Sequence, residues 1–261
     1  MTATVDNVSL IAASVMSKKL AAGADAIVLD VKVGEGAFMK TAQEARALAE
    51  TMLDLGRRAD RDVVCLLTGM DQPLGHAVGN ALEIREAVET IRGRGPDDLT
   101  ELVVEASARL LALSDLGVDV DEGRARTKAA VADGSAYAVY QRWIRAQGGD
   151  PSDDALPRAN VVERITAHDA GYVARLSASR IATAVLGLGG GRHTKDDVVD
   201  HAVGVICMRK RGDAVRAGGE LAEVHARDKA SAESAAREVL SAYELAAEAP
   251  QARPLIIDVL A

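Results

Sequence analysis

The sequence predicts an α/β protein with a partly parallel sheet, and three observations carry that reading. Ala26–Val33 and Val63–Leu67 are mostly apolar runs of strand length. Each is followed by a helical pattern after a short loop, and the order strand, helix, strand, helix is the signature of a parallel sheet with covering helices. Past residue 160 the texture changes to short strands punctuated by glycine turns, which predicts a second, β-rich α/β part.

The elements follow in order. A leading helix is expected over about Val8 to Ala22, closed by Gly23. The first strand, Ala26–Val33, breaks at Gly34-Glu35-Gly36. Thr41 and Glu44 have the spacing of a capping box, so the next helix starts there and runs to about Arg58. The strand at Val63–Leu67 leads into Gly69-Met70-Asp71-Gln72-Pro73-Leu74-Gly75, and a helix spans Gly79 to Ile91. Asp97 to Gln147 reads as helical with breaks near Gly117 and Gly134. The polar stretch Gly148–Asp154 is the best internal boundary. Beyond it a hairpin over Val161 to Val173 is expected to turn at Asp169-Ala170-Gly171, followed by a helix from Ser177 to Leu188. The segment Ala202 to Ala226 is strand-rich, Lys229 to Glu248 is an Ala-rich helix, and Leu255–Leu260 is a closing strand.

Composition removes several function classes. Acidic residues outnumber basic ones 39 to 31, for a net charge of -8, which opposes a nucleic-acid binder. The run Arg209-Lys210-Arg211 is followed at once by Gly212-Asp213 and reads as a solvated turn. Aromatics make up only 2%, too few for base-stacking platforms. No apolar run reaches membrane-spanning length, and the charges around Leu10–Met16 are reversed relative to a signal peptide. Two widely separated cysteines, Cys65 and Cys207, read as small buried hydrophobes in a reducing cytoplasm. The five histidines show no metal-ligand spacing, and Gly187–Gly191 follows a helix instead of a strand, so it reads as a turn.

One helix face carries chemistry. Ser14 and Lys18 stand at i, i+4, flanked by Ile11 and Val15. A hydroxyl and an ammonium over an apolar wall form a grip for a flat heterocycle with carbonyl oxygens. The plainer reading is that Lys18 and Lys19 complement the helix C-terminal dipole.

Several blocks in register resemble the thymidine/pyrimidine-nucleoside phosphorylases. They are Thr2–Asp6 leading to Ser14-Val15-Met16-Ser17-Lys18-Lys19-Leu20; Asp30–Met39; Leu67–Gly75; Val78–Glu83; and Gly189-Gly190-Gly191-Arg192. The resemblance implies a three-part organisation: residues 1–22 from a helical dimerisation domain, 23–160 from the α/β nucleoside phosphorylase domain, and 161–261 as the C-terminal β-rich domain. It also implies phosphorolysis of a pyrimidine (deoxy)nucleoside to free base and pentose 1-phosphate, by a cytoplasmic homodimer that takes phosphate as co-substrate and no organic cofactor. The serine and lysine matching Ser14 and Lys18 hold the pyrimidine, with Ile11, Val15 and Phe38 walling it. Leu74, Ala77 and Glu86 match positions that ligate a monovalent cation such as potassium, the first two through backbone carbonyls. Pro73-Leu74-Gly75 is closer to the broader pyrimidine-nucleoside enzymes than to the thymidine-specific ones. Gly23 sits where the family has a hinge between domains. The segment Gly212–Gly218 with Leu221-Ala222 also echoes a biotinyl/lipoyl hammerhead, but without the modified lysine tip.

The family's Lys-His-Ser-Thr-Gly-Gly phosphate motif, which includes its catalytic histidine, is absent from these 261 residues, and so is its base-binding arginine. The expectation is a mis-started or truncated reading frame with no catalytic residue of its own, inactive alone. Two other readings are a non-catalytic binding or oligomerisation remnant and a relative of the anthranilate phosphoribosyltransferase; the β-rich C-terminal part argues against the latter. A leading helix without its domain would leave Leu10, Ile11, Val15 and Met16 bare, and strand edges open, which favours self-association.

Overall fold

The computed structural model describes residues 7–261, so the Thr2–Asp6 block of the resemblance lies outside the described residues. The chain forms two compact units. Unit 1 holds residues up to Asp71 together with Thr100–Ala130 and Pro254–Ala261, and unit 2 holds Gln72–Leu99 and Val131–Arg253.

Unit 1 is organised by a three-stranded sheet. Strand β1 (Ala26–Val33) pairs in parallel with β2 (Asp62–Gly69), from Ala26↔Asp62 to Val33↔Gly69. The order is β1-β2-β10, and β10 (Ile256–Leu260) runs antiparallel to β2. Ile27, Leu29, Val31 and Val33 alternate along β1 and are all buried, as a strand with one covered face requires. They pack in one core with Ala45, Leu48, Ala49, Met52 and Leu53 of helix α2 (Ala42–Arg58). That i, i+3, i+4 spacing puts one apolar stripe on the sheet. The capping box at Thr41 and Glu44 is formed in both directions and fixes where α2 begins. Cys65 lies in this core, and burial pushes its thiol up to about 11, so it is a packing group and not a nucleophile.

Helix α1 (Val8–Ala21) corrects one expectation. It packs on α2, so Ala12 and Met16 are buried in the unit 1 core and Val8, Ile11 and Val15 lean on it. Of the four apolar residues expected to be bare, only Leu10 is exposed. Helices α4 (Asp97–Ala112) and α5 (Val120–Ala132) follow α3 (Asn80–Ile91) in the chain. Within unit 1, Glu105 takes Arg124 Nε at 2.7 Å and Arg109 Nε at 2.7 Å. The Arg124 hydrogen bond, helped by Arg109, holds the Glu105 carboxyl below its ordinary value of 4.5.

Unit 2 contains two antiparallel sheets. In one, the order is β3-β6-β8-β4: β3 (Ala77–Val78), β6 (Gly204–Cys207), β8 (Glu220–Ala226) and β4 (Val161–Thr166). In the other it is β7-β5-β9: β7 (Ala214–Val215), β5 (Gly171–Leu176) and β9 (Tyr243–Ala246). The expected hairpin over Val161–Val173 is therefore not formed, because β4 pairs with β8 while β5 pairs with β7 and β9. The two strands are consecutive in sequence but serve different sheets. Helix α8 (Lys229–Ser241) also ends earlier than expected. The tail of the Ala-rich run becomes β9, where Tyr243 is buried and its Oη donates to the Leu221 carbonyl at 2.9 Å. Tertiary pairing overrides alanine's helix preference there. Helix α7 (Ala178–Gly187) begins at an Ser177 cap and packs with α8; Ile181, Val185 and Val239 join Val173, Val205, Leu221 and Val224 in one core. Helix α6 (Ser135–Ala146) has no buried residue.

Two outcomes follow for unit 1. Gly123 on α5 lies so close to α4 that a Cβ would sit 2.6 Å from the Ala108 carbonyl oxygen and 3.0 Å from its Cα. Helix propensity alone favours alanine over glycine by about 1 kcal/mol. Because the obstacle is backbone, we expect Gly123→Ala to destabilise by about 1–3 kcal/mol instead, read by denaturant unfolding. Glu105→Gln should cost about 1–3 kcal/mol at neutral pH by weakening three charge-assisted hydrogen bonds from Arg109 and Arg124. The native pKa of Glu105 is depressed, so its contribution is complete above 4.5 and disappears as pH falls through the lowered value. The gap between parent and variant should close over that acid range.

Candidate active site

The exposed face of α1 brings two of the expected substrate residues together. Helical spacing places Lys18 one turn beyond Ser14, and its Nζ lies 3.4 Å from Ser14 Oγ. Both side chains face outward, whereas Ile11 and Val15 are half-buried because their inner sides belong to the unit 1 core. The helix is anchored at its start by Asn7, whose side chain accepts from Leu10 N, and ends at Ala21, two residues before Gly23, which has φ of +75°. The result is a hydroxyl and an ammonium presented side by side on a packed helix. Phe38 sits on the loop after β1 and is 70% exposed, so it does not serve the core.

That loop is rigidly built at the carboxyl ends of the two parallel strands, where α/β sheets bind ligands. Met70 N donates to Val33 O at 2.6 Å, Gly36 N to Met70 O at 2.9 Å and Gly34 N to Met39 O at 3.0 Å. Asp71 Oδ1 accepts from Glu35 N at 3.0 Å. A Cβ on Gly34 would lie 2.5 Å from that same Asp71 oxygen, and the residue has φ of +130°, so only glycine fits. Lys40 Nζ closes the turn on the carbonyls of Glu35 at 2.9 Å and Ala37 at 2.6 Å.

Just before the strand ends lies a polar trio that motif reading did not single out. Lys32 Nζ is 2.6 Å from Asp30 Oδ2 and 3.1 Å from Thr68 Oγ1, and Thr68 Oγ1 donates to Asp30 Oδ1 at 2.5 Å. The signal was available: Asp30 and Lys32 are two apart on a strand, so they share the face opposite the apolar Leu29, Val31 and Val33.

In unit 2, Leu74, Ala77 and Glu86 lie around a loop that runs from Gln72 into β3. Glu86 Oε1 accepts from His76 N at 2.8 Å and Ala77 N at 3.0 Å. Its other oxygen lies over Gly75, where a Cβ would come within 2.2 Å, and Gly75 has φ of +65°. Burial raises the Glu86 carboxyl above its ordinary value of 4.5, against the opposing pull of those two amides. The backbone groups that reach Glu86 are amide donors, so the carboxylate ties this loop together through Oε1. Among the described residues no cluster of three His, Cys, Asp or Glu could hold a metal ion.

The same loop corrects the reading of Arg209-Lys210-Arg211 as a solvated turn at its middle residue, while Arg209 is exposed as expected. Lys210 is tucked in with its side chain 12% exposed, donates to the carbonyls of Pro73 and Gly75, and pairs with Asp98 Oδ2 at 3.0 Å. Local sequence carried no sign of this, since its partners lie more than a hundred positions away.

Comparisons with known proteins agree with these blocks. Residues 1–137 match the model of the glycosyl transferase family a/b domain, and residues 172–246 match the pyrimidine nucleoside phosphorylase C-terminal domain. A pyrimidine-nucleoside phosphorylase of Geobacillus stearothermophilus is 41% identical over 262 aligned residues, covering 99% of this chain and 60% of the relative. Enzymes of the same name from Staphylococcus haemolyticus and Staphylococcus aureus are 43% and 44% identical, covering 86% of this chain and 53% of theirs. The chain thus spans between half and two thirds of the length of these relatives. Among the described residues no helix is long and apolar enough to cross a membrane. With both parts matched in order, the chain belongs to the pyrimidine-nucleoside phosphorylase family of glycosyltransferases.

Proposed function

We propose that this chain supplies the base-binding side of pyrimidine (deoxy)nucleoside phosphorolysis. The observation that carries the reading is the Ser14–Lys18 pair, 3.4 Å apart on the open face of α1, in a member of this family. In the reaction a phosphate oxygen bonds to C1′ of the sugar while the glycosidic C–N bond breaks. The electron pair of that bond leaves with the pyrimidine, whose ring oxygens gain negative charge. Lys18 stabilises that charge and Ser14 orients the ring, with Ile11, Val15 and Phe38 as apolar walls. The role of Lys18 is thus larger in the transition state than in the ground state.

The cation reading is part of the same proposal. The carbonyls of Leu74 and Ala77 and the carboxylate of Glu86 would hold a monovalent cation such as potassium. When bound, that ion supplies a fixed positive charge that offsets a half-buried carboxylate and stiffens the loop. A homodimer in the cytoplasm, with phosphate as co-substrate and no organic cofactor, completes the reading by analogy with the family.

Two measurements test it. The sequence contains no Lys-His-Ser-Thr-Gly-Gly motif, so the 261-residue chain by itself should release no measurable base from thymidine, deoxyuridine or uridine in phosphate. Robust phosphate-dependent release would overturn the assignment of phosphate binding to that motif. Joined to the part of the Geobacillus stearothermophilus relative that it does not match, the chain should turn over. There Lys18→Ala should lower kcat by about 100-fold, more than it raises KM. Ser14→Ala should act mainly on KM. Near-parental kinetics in both variants would remove the base from this helix.

A further inference from the structure

Lys210 has no part in the base site, yet its ammonium is fully engaged within unit 2. It follows β6 by three positions, and its stem runs inward so that Nζ meets three oxygens: Pro73 O, Gly75 O and Asp98 Oδ2. An ammonium has three donors and no acceptor, so this set uses its full capacity. Asp98 is itself fixed, since Oδ2 also accepts from Gly75 N at 3.2 Å and Oδ1 from Leu99 N at 2.8 Å. The neighbouring backbone is tied to the same loop: Arg211 N donates to Gln72 Oε1 at 2.9 Å and Cys207 N to His76 O at 2.8 Å. Taking an ammonium out of water is costly unless carbonyl dipoles and a countercharge replace the solvent, and here both do.

Two carbonyls and a carboxylate around a compact cation form the environment that a free monovalent ion would seek. We propose that Lys210 is a positioning residue, a tethered cation seated in an oxygen-lined socket that fixes the Gln72–Ala77 loop. Through His76 N and Ala77 N, which both bind Glu86 Oε1, that loop sets the placement of Leu74, Ala77 and Glu86. The functional consequence rests on the cation reading above; the socket itself does not.

The test uses the 261-residue chain and its melting temperature in ammonium, potassium or tetramethylammonium chloride at equal ionic strength. In tetramethylammonium chloride, Lys210→Ala should melt at least ~4 °C below the parent. Ammonium and potassium, small enough to enter the emptied socket, should restore part of that loss. Lys210→Met should also melt lower, but without cation-selective recovery, because its side chain still fills the space. A Lys210→Ala chain that folds only in ammonium or potassium gives the same supporting result. Either variant melting with the parent, or equal melting of Lys210→Ala in all three salts, would overturn the socket. The parent separates the two readings. Potassium-specific stabilisation of the parent that disappears in Lys210→Met supports positioning of the cation ligands. A parent indifferent to potassium counts against the cation reading while leaving the socket to stand on the Lys210→Ala recovery.

Discussion

Parallel pairing of β1 with β2 is the constraint from which unit 1 follows. The register Ala26↔Asp62 to Val33↔Gly69 brings both strands to an end side by side. Parallel strands cannot be joined by a tight turn, so the chain must cross over, and α2 is the crossover. Because α2 lies on the apolar face of β1, the polar alternates Asp30 and Lys32 must point the other way, where they meet Thr68. The shared end of the two strands also brings Gly34 up against Asp71, at a distance no side chain tolerates. One ladder thus fixes a hydrophobic core, a polar face and a tight loop.

Unit 2 uses a different principle around its loop. The backbone from Pro73 to Ala77 exposes both carbonyl and amide groups away from regular pairing, and each kind has been given a charged partner. Lys210 serves the carbonyls of Pro73 and Gly75; Glu86 serves the amides of His76 and Ala77; Asp98 serves the amide of Gly75. Irregular backbone that leaves water needs such partners as much as a strand needs its neighbour. The arrangement explains why Gly75 is glycine: its φ is positive and the Glu86 carboxylate occupies the space of a Cβ.

Much of this was legible from local signals. β1 runs as expected from Ala26 to Val33, and the Thr41–Glu44 box marks the start of α2 to the residue, because both depend on neighbours a few positions away. The Ser14–Lys18 pairing was equally open to reading, since helical geometry alone makes i, i+4 residues neighbours. What escaped depends on distant partners. The strands β4 and β5 look like a hairpin from spacing but join separate sheets. Tyr243 ends an alanine-rich helix because its hydroxyl finds the Leu221 carbonyl in the core. Lys210 reads as a surface charge between two arginines, and only the folded loop shows the oxygens waiting for it.

The third strand of the unit 1 sheet comes from far along the chain. Arg46 on α2 is ion-paired with Asp258 on β10, 212 positions away, and all of unit 2 lies between them in sequence. Closing so large a loop has an entropic cost that grows only slowly with length, so the finished sheet bears it easily. The kinetic consequence is sharper. One flank of β2 has no strand partner until residues beyond Arg253 pair with it. Until then the ladder beside Leu66 and Leu67, fully buried in the finished fold, is open on that side, and an unpaired strand edge is where a chain is exposed to misassociation.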